Sequence, residues 1–285
     1  METTHALPVT LELFLAGIAG LIVGSFLNVV VHRLPRILEQ RWGEEAREIL
    51  GQTQTEVEPS GHYSLAWPPS HCPHCLRRLR LRENIPLVSY LLQLGRCRGC
   101  GAEIRPRYPI LEAVTAAATV AVVAVYGLTI TALGPLALTW ALIAAAAIDQ
   151  EHYLLPDSLT LPLLWAGLLW SILDPAPPTP TGAIIGATAG YLAMWSIFHG
   201  HRLITGREGM GHGDFKLTAA LGAWLGWQAL PALVLIAALA GLVSALILAL
   251  RNRPLDQPIP FGPFLAGAGW LLLLFGHEAS QWPLL

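Results

Sequence analysis

Two aspartates in this chain stand where a carboxylate is costly. Asp149 ends an apolar run in Ala144-Ala-Ala-Ala-Ile-Asp-Gln-Glu-His-Tyr153, and Asp214 opens another in Gly209-Met-Gly-His-Gly-Asp-Phe-Lys216. A charge at the end of an apolar helix demands a reason. Two close carboxylates do not both ionise easily, so one keeps a proton while the other stays anionic. Such a pair can activate a water and protonate a leaving amide, and it titrates as a unit. Glycines 209, 211 and 213 are expected to let the backbone turn tightly and approach a peptide. Taken singly, each aspartate reads as well as a helix cap or a buried structural acid. The Gly-x-Gly-Asp setting and a shared membrane side favour the pair. Asp157, between Pro156 and an apolar run, is expected to be an N-cap. Glu151, His152 and His212 stand near enough to tune or orient the pair, though a solvated interfacial role suits each. Lys216 lies two residues from Asp214 and would not share its helix face.

The second chemical constellation is cysteine. All four cysteines, Cys72, Cys75, Cys97 and Cys100, form two C-x-x-C pairs separated by 21 residues. Two such knuckles present four sulfurs tetrahedrally, which suits Zn²⁺ better than a rubredoxin-like iron. Neighbouring arginines help keep thiolates deprotonated. Disulfides are the alternative, but the topology below puts the segment in a reducing compartment. His71 and His74 could ligate instead, yet four cysteines already close the site, and a closed site is structural.

Carboxylates at helix ends need helices to carry them, and the apolar runs supply eight. Spans of about 20 apolar residues cross a bilayer. The candidates are Leu11–Val31, Tyr108–Tyr126, Thr131–Ile148, Ser158–Leu173, Gly182–Phe198, the short Asp214–Trp227, Ala229–Leu250 and Phe261–Gly276. Continuous rather than alternating apolar character makes them helices, not strands. Of 17 Lys and Arg residues, 12 lie between Arg33 and Arg107; the rest are Arg202, Arg207, Lys216, Arg251 and Arg253. With eight spans and an external N-terminus, all fall on or beside the cytoplasmic side. Asp149 and Asp214 then face that same side. The residues before and opening the first span carry Glu2 and Glu12 and no Lys or Arg, so it is not expected to be a cleaved signal peptide. Its Gly20 and Gly24 have G-x-x-x-G spacing for close helix contact. Ser25, Asn28 and His32 follow on one side, as a stripe buried against neighbours or as a cavity lining. Between the first two spans, residues 33–107 hold 12 Arg and 8 Glu. Their Glu- and Gln-rich part, 39–60, carries a plausible short amphipathic helix near Trp42–Leu50. The expected organisation is residues 1–32, a cytoplasmic insertion at 33–107, and a seven-helix membrane domain at 108–285.

Composition agrees. The chain has 285 residues, 54% hydrophobic and 13% charged, with mean hydropathy +0.53. Soluble domains carry about 25% charged residues. The net charge of −2 supplies no basic field for nucleic acid. No G-x-S-x-G elbow, H-E-x-x-H zinc helix, P-loop or dinucleotide fingerprint is present. The fold class is therefore an all-α polytopic membrane protein of about eight helices with a small zinc-binding cytoplasmic insertion.

Six ordered motifs resemble those of bacterial type IV prepilin peptidases. They are Gly24-Ser-Phe-Leu-Asn-Val-Val-Val-His-Arg-Leu-Pro35; Cys72-Pro-His-Cys75 with Asn84-Ile-Pro-Leu87; Gly95-Arg-Cys-Arg-Gly-Cys-Gly101 with Arg107-Tyr-Pro-Ile-Leu-Glu112; Ile148-Asp-Gln-Glu-His-Tyr-Leu-Leu-Pro-Asp157; Gly211-His-Gly-Asp214; and Pro260-Phe-Gly-Pro-Phe-Leu265. The resemblance implies an inner-membrane enzyme with an active site facing the cytoplasm. It would cut the basic leader from type IV prepilins or type II secretion pseudopilins. It would then methylate the new N-terminus with S-adenosylmethionine. It assigns catalysis to Asp149 and Asp214 and zinc to the four cysteines; the region around Gly95 is tied most closely to the methyl donor. Two alternatives from the residues are a peptidase whose insertion only recognises substrate, and a non-enzymatic zinc-bearing scaffold. A presenilin-like protease shares Gly-x-Gly-Asp but would cut deep in the bilayer, away from acids at the cytoplasmic helix ends.

Overall fold

A computed structural model describes residues 8–51, 63–174, 176, 178–207, 209–251 and 259–279. Arg253 and the 52–60 part of the Glu- and Gln-rich stretch lie outside the described residues. Among the described residues there are nine α-helices and no strand longer than an isolated bridge. Among the described residues, five helices are long and apolar enough to cross a membrane: Val9–Ile49, Arg107–Tyr126, Ile130–His152, Pro180–Thr205 and Trp227–Leu250. Asp157–Leu173 and Gly262–Gly276 are apolar but shorter. The chain is a multi-pass membrane protein.

The backbone divides into two compact units, Met1–Leu128 and Thr129–Leu285. In the first, α1 (Val9–Ile49) packs along α3 (Arg107–Tyr126), with the short α2 (Val88–Leu92) between them in sequence. By packing, α3 thus belongs with α1, not with the helices that follow it. The glycine pair explains the contact: a Cβ on Gly20 would stand 2.6 Å from Ala116 Cα, and one on Gly24 2.8 Å from Glu112 Cα. Small residues let backbones approach where lipid gives no hydrophobic drive. The polar stripe is part of this seam. Asn28 donates to the Tyr108 carbonyl at 3.0 Å, and Ser25 hydrogen-bonds Glu112. The Glu112 carboxylate also accepts the Leu87 N–H at 2.8 Å, fixing the loop ahead of α2.

Helix α1 does not end with its apolar run. It continues unbroken through Pro35 to Ile49, 41 residues in all. The extension is polar but rich in helix formers, so a hydropathy reading stops too early. Buried Arg33 then donates to the carbonyls of Ser64 (3.0 Å), Leu65 (3.3 Å) and Pro68 (2.6 Å), and lies over the Tyr63 ring. One guanidinium thereby gathers the chain leading to the first cysteine pair.

In the second unit, α7 (His212–Leu225) is the central helix, and nearly every residue from Asp214 to Trp224 is buried. Its 14 residues span roughly 21 Å at 1.5 Å each, short of the ~30 Å hydrocarbon layer. Around it pack α5 (Asp157–Leu173), α6 (Pro180–Thr205) and α9 (Gly262–Ala279). Helix α9 also packs on α4 (Leu133–His152) and α8 (Leu230–Leu250). Glycine makes the closest approach: Gly186 of α6 and Gly222 of α7 each lie where a Cβ would collide with the other's carbonyl oxygen. Trp224 of α7 donates its indole N–H to Leu163 of α5 at 2.9 Å. Outward residues of α8, such as Leu235, Leu242 and Leu246, are exposed, as a lipid-facing surface requires.

Candidate functional site: an aspartate pair and a four-sulfur cluster

The second unit holds both aspartates, on different helices. Asp149 lies in the last turn of α4, which ends as Tyr153 turns left-handed at φ 53° and its N–H caps the Asp149 carbonyl at 2.9 Å. Asp214 lies in the first turn of α7. Both are buried, 6% and 7% exposed, and their carboxylates repel one another electrostatically. The placements are electrostatically opposite. The start of a helix favours an anion, and the end disfavours it. Asp149 has a compensating partner: the backbone N–H of Gly262, at the start of α9, donates to its Oδ2 at 2.9 Å. A pair of interacting buried acids is suited to general acid–base hydrolysis.

Of the glycines before Asp214, Gly213 serves packing rather than backbone freedom. None of Gly209, Gly211 and Gly213 adopts a positive φ. A Cβ on Gly213 would stand 2.7 Å from Leu155 Cβ, so its missing side chain lets the segment after Asp149 lie against the turn before Asp214. Asp157 is not an N-cap: Pro156 takes that position with no side-chain cap, and the Asp157 carboxylate pairs with Lys216 at 2.5 Å. Lys216 thereby ties the start of α5 to the N-terminal part of α7. His212 is exposed and lies against Phe198 and Phe215, with ring centroids 5.2 and 5.3 Å away. Glu151 and His152 are exposed. Sequence reasoning missed Gly262, whose contribution is a backbone N–H, and the Asp157–Lys216 pair, which spans 59 residues.

In the first unit, Cys72, Cys75, Cys97 and Cys100 bring their sulfurs within 4.8 Å of one another, and none is in a disulfide. A tetrahedral Zn²⁺ with bonds of about 2.3 Å sets sulfurs about 3.8 Å apart. Cys72 and Cys100 Sγ stand at 3.9 Å, so the four residues fit such an ion. The cluster can hold a metal ion. The two halves repeat one hydrogen-bond pattern. The Cys72 N–H donates to Arg77 and the Leu79 N–H to Ser70; the Cys97 N–H donates to Ala102 and the Ile104 N–H to Gly95. Bridges His71–Arg78 and Arg96–Glu103 match likewise. Cys97 is pulled down to about 6 by backbone N–H groups of Cys100 and Gly99, which favour the thiolate. Glu83 accepts from the Arg80 N–H at 2.9 Å and from the Arg77 guanidinium at 2.8 Å, and these hold its carboxyl below the usual range. Arg77 in turn lies near the Cys75 and Cys97 sulfurs.

Residues 18–126 match the Bacterial Peptidase A24 N-terminal domain, and residues 136–246 match the Type IV leader peptidase family. A prepilin leader peptidase/N-methyltransferase of Aeromonas salmonicida (strain A449) is 48% identical over 287 residues, covering 99% of this chain and 97% of the relative. The protein of the same name in Pseudomonas aeruginosa is 50% identical over 270 residues, covering 92% and 90%. Another in Burkholderia pseudomallei (strain K96243) is 47% identical over 275 residues, covering 95% and 88%. No solved structure matches the chain. Near-complete overlap with such relatives, and the two matched domains in order, show that this chain belongs to the type IV leader peptidase family.

Proposed function

We propose that this protein cleaves the leader from type IV prepilins and type II secretion pseudopilins, and then N-methylates the exposed N-terminus. The observation that carries the peptidase half is the buried pair Asp149 and Asp214, brought into electrostatic contact from α4 and α7. The ionised member takes a proton from water as the oxygen attacks the scissile carbonyl, and the protonated member gives its proton to the leaving amide nitrogen. Net, one water is consumed and one peptide bond broken. A substrate with an apolar helix behind its cleavage site would lie in the bilayer with that site at the cytoplasmic boundary. The eight spans and external N-terminus expected from the sequence would put both aspartates at that boundary.

The methyl-transfer half belongs to residues 33–107. S-adenosylmethionine, when bound, supplies an electrophilic methyl group. The new α-amine must be neutral and aligned to take it, and it sheds a proton afterwards. Cys72, Cys75, Cys97 and Cys100 would hold Zn²⁺ as a closed, structural site that keeps this segment folded.

Mass spectrometry of purified protein with a full-length prepilin and S-adenosylmethionine tests both halves. The expected product has lost its leader and gained one methyl, with Asp149→Ala and Asp214→Ala inactive. Leader loss without the methyl would leave a peptidase. An intact prepilin would favour the scaffold reading.

A further inference from the structure

We propose that the entry to α9, Phe261-Gly262, is a positioning element that holds the aspartate pair in register. This rests on the catalytic reading of Asp149 and Asp214. Three observations carry it. First, the Gly262 N–H is the hydrogen-bond partner of Asp149 Oδ2, at 2.9 Å and buried. It brings the positive start of one helix to a carboxylate stranded at the negative end of another. Second, any side chain there would push the carboxylate aside: a Cβ would stand 2.6 Å from Oδ2, 3.1 Å from Cγ and 3.3 Å from Cβ of Asp149. Third, the adjacent Phe261 packs against the buried cluster of Met194, Phe198 and Phe215, the last being Asp214's chain neighbour. Consecutive residues thus touch the surroundings of both acids. Two turns on, Gly269 repeats the arrangement against α7, where a Cβ would meet the Leu221 side chain at 2.5 Å. Helix α9 therefore packs on both aspartate-bearing helices and fixes their spacing.

A carboxylate displaced by about 1 Å costs on the order of 100-fold in rate. Gly262→Ala is expected to lower kcat for leader cleavage by about that factor with KM unchanged. Methylation of a pre-cut pilin should be retained. Gly267→Ala, on the same helix with open space around it, should cleave as wild type. Thermal unfolding supplies a readout independent of catalysis. Gly262→Ala should lower Tm in the wild-type background and lose most of that effect beside Asp149→Ala, because the two nearest colliding atoms, Oδ2 and Cγ, are gone. A Gly262→Ala protein that fails to fold alone but folds with Asp149→Ala would support the proposal equally. Wild-type kcat in Gly262→Ala would overturn it, as would an equal Tm loss in both backgrounds or a folding failure that Asp149→Ala does not relieve. If Asp149→Ala itself cleaved normally, the catalytic reading would fall while the Tm cycle still decided the positioning.

Discussion

At the scale of single residues, the acids of this chain are distinguished by what donates to them. Asp149 receives a backbone N–H from α9, Asp157 a lysine, and Glu83 a backbone N–H and a guanidinium. The first two were recognisable in sequence as unusual acids, but their partners were not, because a backbone N–H leaves no residue-type signal and 59 residues separate Lys216 from Asp157. The Glu83 contacts make a pH prediction. Its folded value lies below the unfolded one near 4.3, so its contribution is whole above about pH 5 and is lost as pH falls through the folded value. Glu83→Gln should therefore reduce amide protection across residues 70–105 at neutral pH, and the difference from wild type should shrink under acid. A difference that held constant to low pH would remove the ion pair from the account. At neutral pH the same substitution should weaken zinc binding about 10- to 100-fold, since Arg77 would lose the group that orients it near the sulfurs.

At the scale of elements, the apolar segments of the sequence matched the observed helices to within a few residues, except at α6, which runs seven residues past Phe198 to Thr205, and most of all at α1. There the helix outruns its hydrophobic stretch by some 18 residues past Val31, because helix propensity, unlike hydropathy, persists into the charged extension. The G-x-x-x-G of α1 was legible. The equivalent contact between Gly186 and Gly222 was not, since it joins two glycines 36 positions apart with no shared local motif. That contact yields an element-scale prediction. Gly222→Val forces a branched side chain into the Gly186 carbonyl and should destabilise the second unit by about 1–3 kcal/mol through overpacking. Thermal melts would show the loss, and cleavage should fall with it as α7 is displaced. A variant melting and cleaving as wild type would mean that α6 and α7 separate without consequence for the site.

For the whole molecule, the two constellations seen in sequence fall into different compact units, the sulfurs in Met1–Leu128 and the aspartates in Thr129–Leu285. If the activities follow that division, they can be lost independently. Stripping the metal with a chelator, or replacing Cys72 and Cys97 by serine, should abolish methyl incorporation while leader removal continues. Mass spectrometry of the pilin product reads both outcomes at once. Simultaneous loss of cleavage would show that folding of the cysteine segment is needed by the peptidase as well. The grouping of α3 with α1 was the least legible feature at this scale. Hydropathy identifies a span but carries no information about which neighbour it packs against.

The repeated pattern around the sulfurs has an uneven consequence. After each cysteine pair the chain makes a left-handed turn, at Leu76 (φ 56°) and at Gly101 (φ 74°). For a leucine this conformation costs roughly 1–2 kcal/mol, and for glycine almost nothing. Leu76 recovers little by burial, being 73% exposed. The very next residue is Arg77, anchored by Glu83; its counterpart in the second half is Ala102, whose methyl offers no polar group to anchor. The duplication thus joins a strained copy that carries its own brace to a relaxed copy that does without one.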